Sequence, residues 1–296
     1  MDRKAMGLAL LGGFGVTSLL GVLVVLGIAT RHADHEAVAL RAEVEELKAA
    51  LGRLPADGRG HGRPNVLTSF NTDVHAPELP AESFVDPQAS VIGAVSLGHD
   101  VYVAPFASIR GDEGQPIALG DETNVQDGVV IHALETVQGG VPVPNRTIQV
   151  NGRDYAVYIG RRVSLAHQSQ VHGPARIDDN VFVGMQALVF KATVGAGSVV
   201  EPGARLIGVT VPAGRYVPAG SVVTDQTAAD RLPAITADYP FRTLNDAVIH
   251  VNTSFAKGYG DAAEAAAEKR AEGAADPKET KVAAAPKAEQ AAGDHH

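Results

Sequence analysis

A spacing of six between aliphatic residues constrains this chain more than any other feature. Ile159, Leu165, Val171, Ile177, Val183 and Val189 fall six apart, and four places after each comes a small or β-branched residue, as in Val163, Ser169 and Ala175. The register runs upstream through Val85, Val91, Leu97, Val103 and Ile109, and again through Leu119, Val125 and Ile131. Downstream it slips one residue early at Val194, Val200 and Leu206, and again at Val211, Val217 and Val223. Neither the helical period of 3.6 nor the strand period of 2 produces this pattern, and a sustained hexapeptide repeat marks a parallel β-helix. Each hexad supplies a short strand and a corner. Three hexads close a triangular coil, so the fourth lies above the first at a strand spacing of about 4.8 Å. The wide gaps between Ile109 and Leu119 and between Ile131 and Ile159 are excursions from the prism, the second a long loop. The all-β core is expected over roughly Pro80 to Thr224.

With the excursions left out, the hexads at Ile109, Ile131 and Val171 stack on one face. Arg110, His132 and His172 each follow an anchor by one position and form an outward-pointing column there. Val125 and Leu165 stack on a different face, which places Gln126 one position after its anchor and Asp127 directly beneath His167. Two imidazoles one coil apart can share a metal ion, but His167 leaves from another face and cannot easily complete the set within one chain. A homotrimer around a threefold axis can, because one face of each prism meets a different face of its neighbour. The expectation is a metal site at each subunit interface, with His132 and His172 from one chain and His167 from the next. Three histidines and an open position are the pattern of a catalytic zinc site. The alternative is a metal-free β-helix with surface histidines; against it, all three obey a stacking rule derived from unrelated aliphatic positions. His32, His35, His61, His75 and His99 fit no column and read as solvated.

Four blocks carry a resemblance: Ser108 to Gly114 (SIRGDEG), Asn124 to Glu135 (NVQDGVVIHALE), Tyr155 to Pro174 (YAVYIGRRVSLAHQSQVHGP) and Gly208 to Gly220 (GVTVPAGRYVPAG). Together they resemble the γ-class carbonic anhydrases of the archaeal, methanogen type, from about Val66 to Tyr259. The resemblance implies a left-handed parallel β-helix, a trimer, and zinc, iron or cobalt held between subunits by His132, His167 and His172. It also implies reversible hydration of carbon dioxide to bicarbonate and a proton. Three neutral imidazoles leave the charge of a dication available to bring a water to a pKa of about 7, so that hydroxide able to attack carbon dioxide exists at neutral pH. Gln126, on the face that carries His167 toward the neighbouring site, suits orienting that hydroxide; Asn252 joins it through the resemblance alone.

Released protons need an acceptor that reaches solvent. Glu113 and Glu135 stand where strands leave the prism, and the matching family positions are acid/base and proton-shuttle residues; solvated loop glutamates are the alternative. Arg110 and Asp112 are assigned to architecture, because the matching family pair forms a salt bridge across subunits, although an interface arginine can also bind bicarbonate. Asp127 fits an acceptor for the distal N–H of a ligand histidine. Two departures stand out. A Tyr-Val-Asn string of the family is here His250-Val251-Asn252, and the loop after Glu135 (TVQGGVPVPN) lacks acidic residues.

Outside the repeat, Gly7 to Thr30 is an uncharged, mostly apolar run of about 24 residues, long enough to span a ~30 Å hydrocarbon layer. Residues 1–30 are therefore expected to be an uncleaved, single-pass transmembrane anchor, with the catalytic domain on the extracytoplasmic side. Ala37, Leu40, Val44, Leu47, Leu51 and Leu54 form a short heptad pattern, so residues 31–64 read as a short coiled-coil stalk, the alternative being a single amphipathic helix in that place, ending in a flexible linker from Pro55 to Pro64. Residues 65–260 form the β-helix domain, closed by an amphipathic helix from Leu244 to Gly258 packed along the prism. Residues 261–296, rich in Ala, Glu and Lys, read as a disordered tail with helical tendency near Ala262 to Arg270. A net charge of -9 argues against a nucleic-acid partner, and the absence of Cys excludes disulfides and thiolate ligands. Two other classes stay open: a hexapeptide acyltransferase, and a catalytically silent trimeric scaffold.

Overall fold

A computed structural model describes residues 62 to 275, together with Arg41, an exposed helical residue. The described residues 62 to 275 belong to one compact unit, Asp57–His296. The expected anchor at residues 1–30, nearly all of the stalk and the end of the tail lie outside the described residues. Among the described residues no helix is long and apolar enough to cross a membrane.

The six-residue period builds three parallel sheets of eight, six and seven strands, which form the walls of a left-handed β-helix. Along the eight-stranded wall Val91, Ile109, Ile131, Val171, Val189, Leu206 and Val223 are successive Cα partners. Val85, Val103, Val125, Leu165, Val183, Val200 and Val217 line up in the same way on the seven-stranded wall. The third wall stacks Leu97, Leu119, Ile159, Ile177, Val194 and Val211. These anchors fill one continuous core in which Ile109, Ile131, Ile159, Leu165 and Ile177 are fully buried. An aliphatic interior of this width leaves no room for rings, and the aromatic residues gather outside the prism.

Several segments differ from the expectations. Gly62 and Arg63, read as linker, extend the eight-stranded wall by pairing with Val91 and Ile92; an edge strand joined through backbone bonds needs no apolar alternation of its own. The long loop between Ile131 and Ile159 contains two antiparallel hairpins. Their turns are Gly139-Gly140 and Asn151-Gly152, all four residues at positive φ, which is what a two-residue turn matched to strand twist requires. The C-terminal helix runs from Leu244 to Ala275, well past Gly258. Ala, Glu, Lys and Arg are strong helix formers, and a helix already nucleated by its docked half extends through them at little cost.

That helix lies on the seven-stranded wall. Asn245 donates to the Arg162 carbonyl at 2.9 Å and to Asn180 Oδ1 at 3.0 Å, and Arg162 donates to Asp246 at 2.9 Å. Farther along, Phe255 and Tyr259 stack with Tyr102 and Phe84 of the first coils. Burial beside Tyr259 and Asp127 pushes the Tyr102 hydroxyl up to about 12. The helix therefore runs along the wall that carries Gln126, from the coil of Arg162 and Asn180 toward the first coils at Phe84 and Tyr102.

Candidate metal centre

The strand register decides how the histidines stand. Val130-Ile131-His132 pairs in parallel with Gln170-Val171-His172, so the two histidines are direct Cα partners. Ile131 and Val171 point into the prism, and alternation along a strand turns the next residue outward. The two rings meet edge to face with centroids 4.6 Å apart, and Phe190, the next residue in the column, backs His172 at 4.9 Å.

Each ring is oriented by its own backbone. His132 Nδ1 donates to the Ala133 carbonyl at 3.1 Å, and His172 Nδ1 donates to the Gly173 carbonyl at 2.9 Å. A proton on Nδ1 leaves the lone pair on Nε2, the atom that ligates when the other nitrogen is held in this way.

His167 stands elsewhere, exposed on the corner that joins the seven-stranded wall to the eight-stranded one. Asp127 lies one coil below it, as expected, and its Oδ2 accepts from His167 Nδ1 at 2.9 Å. This ring too has its Nε2 free of that bond, on a different corner of the prism. Among the described residues no three His, Asp or Glu side chains of one chain are placed to hold a metal ion together. The donor chemistry nonetheless fits one: three imidazoles, each with its second nitrogen committed to a carbonyl or carboxylate.

Glu113 departs from the solvent-reaching carboxylate that its loop position suggests. It turns inward, where Oε2 accepts from the Ala133 N–H at 2.9 Å and Oε1 lies 3.1 Å from an Arg110 amino group and 3.5 Å from His132 Nδ1. This carboxylate holds the His132 imidazole above its ordinary range of about 6.5. Arg110 also pairs with Asp112 at 3.3 Å. The Arg110–Asp112 pair expected across subunits is thus closed within one protomer. Glu135 lies on the other excursion, where Arg146 bonds both its carboxylate and its carbonyl, at 2.5 and 3.0 Å. The guanidinium holds that carboxyl below the usual carboxylate value of 4.5.

Gln126 and Asn252 come together with His167. All three line a groove of about 560 Å³ between the seven-stranded wall and the C-terminal helix, with apolar Phe182, Met185 and Val248 beside them. Gln126 Nε2 donates to Asn124 Oδ1 at 3.0 Å, and Asn124 Nδ2 donates to Ser164 Oγ at 2.9 Å. With its nitrogen committed, Gln126 has its carbonyl oxygen to offer the groove. Asn124 is a further candidate site residue; its signal in the sequence is a polar residue two places before Gln126, on the same outward side of a strand. Asn252 is buried, donating to the Val248 carbonyl at 2.8 Å. His250, two residues earlier, is exposed, because two helical steps of 100° carry a side chain to the opposite side.

No family model matches the chain. A carbonic anhydrase of Methanosarcina thermophila is 55% identical over 198 residues, covering 67% of this chain and 80% of that protein. The chain belongs to the γ-class carbonic anhydrases. Within that family's reach, the carboxysome assembly protein CcmM of Nostoc is 40% identical over 192 residues, 65% of this chain but 33% of the relative. The mitochondrial gamma carbonic anhydrase 2 of Arabidopsis thaliana is 30% identical over 146 residues, 47% of this chain and 48% of the relative.

Proposed function

We propose that this γ-class carbonic anhydrase is active as a homotrimer, catalysing the reversible hydration of carbon dioxide to bicarbonate and a proton. His132 and His172 of one protomer and His167 of the next would hold zinc, or alternatively iron or cobalt. The observation that carries this reading is the paired register of His132 and His172, with both Nε2 atoms freed by backbone carbonyls, while the third imidazole is held by Asp127 on a different corner. The corner itself supports the trimer. Its rungs stack Pro105, Asp127, His167 and Met185 through backbone bonds of 2.9 to 3.2 Å. Met185, 44% exposed, stands on the rung next to His167, and Phe106, 67% exposed, on the Pro105 rung of the same corner. Apolar side chains beside an incomplete ligand set suit burial against a neighbouring copy.

A bound dication supplies the charge that makes a water acidic enough to give hydroxide near neutral pH. The chain's residues do the rest. The Gln126 carbonyl, fixed by Asn124, accepts a hydrogen bond from the attacking oxygen and sets its direction, with Asn252 across the groove. The apolar lining of Phe182, Met185 and Val248 suits a nonpolar gas and excludes bulk water. Glu113, held against Arg110 and His132, takes or returns a proton at the site, and Glu135 passes it to solvent.

Metal analysis of anaerobically purified protein, with hydration assays of wild type and His167→Ala, tests the reading. Wild type should contain metal and hydrate carbon dioxide, and the variant should do neither. A trimer with no stoichiometric metal and no hydration would instead favour a silent scaffold, the role suggested by the name of the Nostoc relative; protection by coenzyme A would favour an acyltransferase. We further infer, from the apolar run Gly7 to Thr30, that the enzyme is a single-pass membrane protein with its catalytic domain on the extracytoplasmic side. Release of the intact chain from membranes by alkaline carbonate would overturn that.

A further inference from the structure

Ahead of the first coil, residues 65 to 75 close into a strap whose shape is fixed by two polar side chains. Asn65 Oδ1 accepts from the His75 N–H at 2.6 Å while its amide donates to the Asp73 carbonyl at 3.0 Å. Thr68 Oγ1 accepts from the N–H groups of Phe70 and Asn71 at 3.3 and 3.0 Å, and the Thr68 N–H donates to the Asn71 carbonyl at 3.0 Å. From this strap one polar side chain reaches into the protein: Asn71, 6% exposed. Its Nδ2 donates to the Asp112 carbonyl, and its Oδ1 accepts from the Gly114 N–H at 3.0 Å. Those two backbone groups flank Glu113.

The opposite side of the same turn is held by Thr136, which is fully buried. Its N–H and Oγ1 both donate to the Glu113 carbonyl at 2.8 Å, and its Oγ1 accepts from the Gln115 N–H at 2.5 Å. Gly114, at φ +106°, has little conformational preference of its own. A turn built on such a residue keeps one shape only when outside bonds impose it.

We propose that Asn71 is a positioning residue for the hydration reaction. By bridging Asp112 and Gly114 it fixes the Glu113 carboxylate against the Ala133 N–H and His132. An amide suits the task because it presents a donor and an acceptor side by side; an aspartate would lose the donor and place a second charge beside Asp112. The strap thereby becomes part of the active site although it contributes no ligand. This inference rests on the hydration activity and on a proton-transfer role for Glu113.

A double-mutant cycle in the zinc-loaded full chain tests it, using Asn71→Leu, Glu113→Gln and the pair. Misplacing a reacting group by about 1 Å costs on the order of a hundredfold, so Asn71→Leu should lower kcat ten- to a hundredfold at unchanged metal content. In the Glu113→Gln background the same change should cost nothing further. An equal loss in both backgrounds, or no loss in either, overturns the proposal. If Asn71→Leu does not fold, the near-isosteric Asn71→Asp enters the same cycle with the same expectations. If wild type hydrates no carbon dioxide, the activity reading fails by itself. The clamp is then judged from crystal structures of wild type and variant: a Glu113 carboxylate that leaves the Ala133 N–H supports it, and one that stays overturns it.

Discussion

His132 and His172 are Cα partners on adjacent parallel strands, and each turns Nδ1 to the carbonyl of the residue that follows it in sequence. This leaves two Nε2 atoms on one wall of the prism, while His167 stands on a corner outside that wall. The proposed intersubunit site makes a prediction that no self-contained site would.

Neither His167→Ala nor His172→Ala alone should bind metal tightly or hydrate carbon dioxide. Trimers reassembled from both variants should recover activity, because a chain with intact His132 and His172 meets a chain with intact His167. In a cyclic trimer of mixed composition that happens at one interface, so mixed trimers should regain about one third of wild-type activity and metal. Failure of mixing to restore either would place all three ligands in one chain.

Asp127 should act on metal retention and leave the fold intact. It is exposed and its carboxylate accepts from His167 Nδ1, so Asp127→Ala frees the imidazole to rotate and to change tautomer. Loss of such an orienting carboxylate typically costs ten- to a hundredfold in affinity or activity. Competition with a chelator, followed by metal analysis of the trimer, reads this directly; an unchanged affinity would show that the neighbouring subunit orients His167.

The β-helix and its two histidine columns were legible in the sequence because a coil repeats its geometry. Once Ile131 and Val171 are known to stack, the positions of His132 and His172 follow, and so does that of Asp127 beneath His167. Where the chain leaves the coil that inference stops. Glu113 was expected to reach solvent, yet its direction depends on bonds from Asn71 and Thr136, residues far away in sequence with no periodic pattern to announce them. The hairpins at Gly139-Gly140 and Asn151-Gly152 did carry a local signal, that of positive-φ turn residues, which the length of the loop obscured. The reach of the C-terminal helix was underestimated because an Ala-rich segment has no apolar face to detect.

Ile131 is fully buried beside His132 in the chain, stacked between Ile109 and Val171. Ile131→Ala removes side-chain volume from a narrow interior whose walls are fixed by continuous strand pairing, so the gap cannot readily close. The cost should be about 2–5 kcal/mol, measured by denaturant titration of metal-free protein. A loss well under 1 kcal/mol would show that the prism collapses around the missing atoms.

Arg146 sets how readily Glu135 takes up a proton. The guanidinium hydrogen-bonds the carboxylate and holds its pKa below 4.5, whereas in the proposed mechanism the proton to be removed leaves a group that titrates near pH 7. Transfer onto Glu135 is therefore uphill, and each further lowering of its pKa slows it. Replacing Arg146 with Ala removes the favourable partner of the charged form, so the Glu135 pKa rises toward its ordinary range and transfer becomes less unfavourable. In dilute buffer Arg146→Ala should turn over faster than wild type. The advantage should vanish in concentrated imidazole buffer, which carries protons itself, and in a Glu135→Ala background. A variant slower than wild type in dilute buffer would mean that Arg146 serves to hold Glu135 in place, with position outweighing basicity.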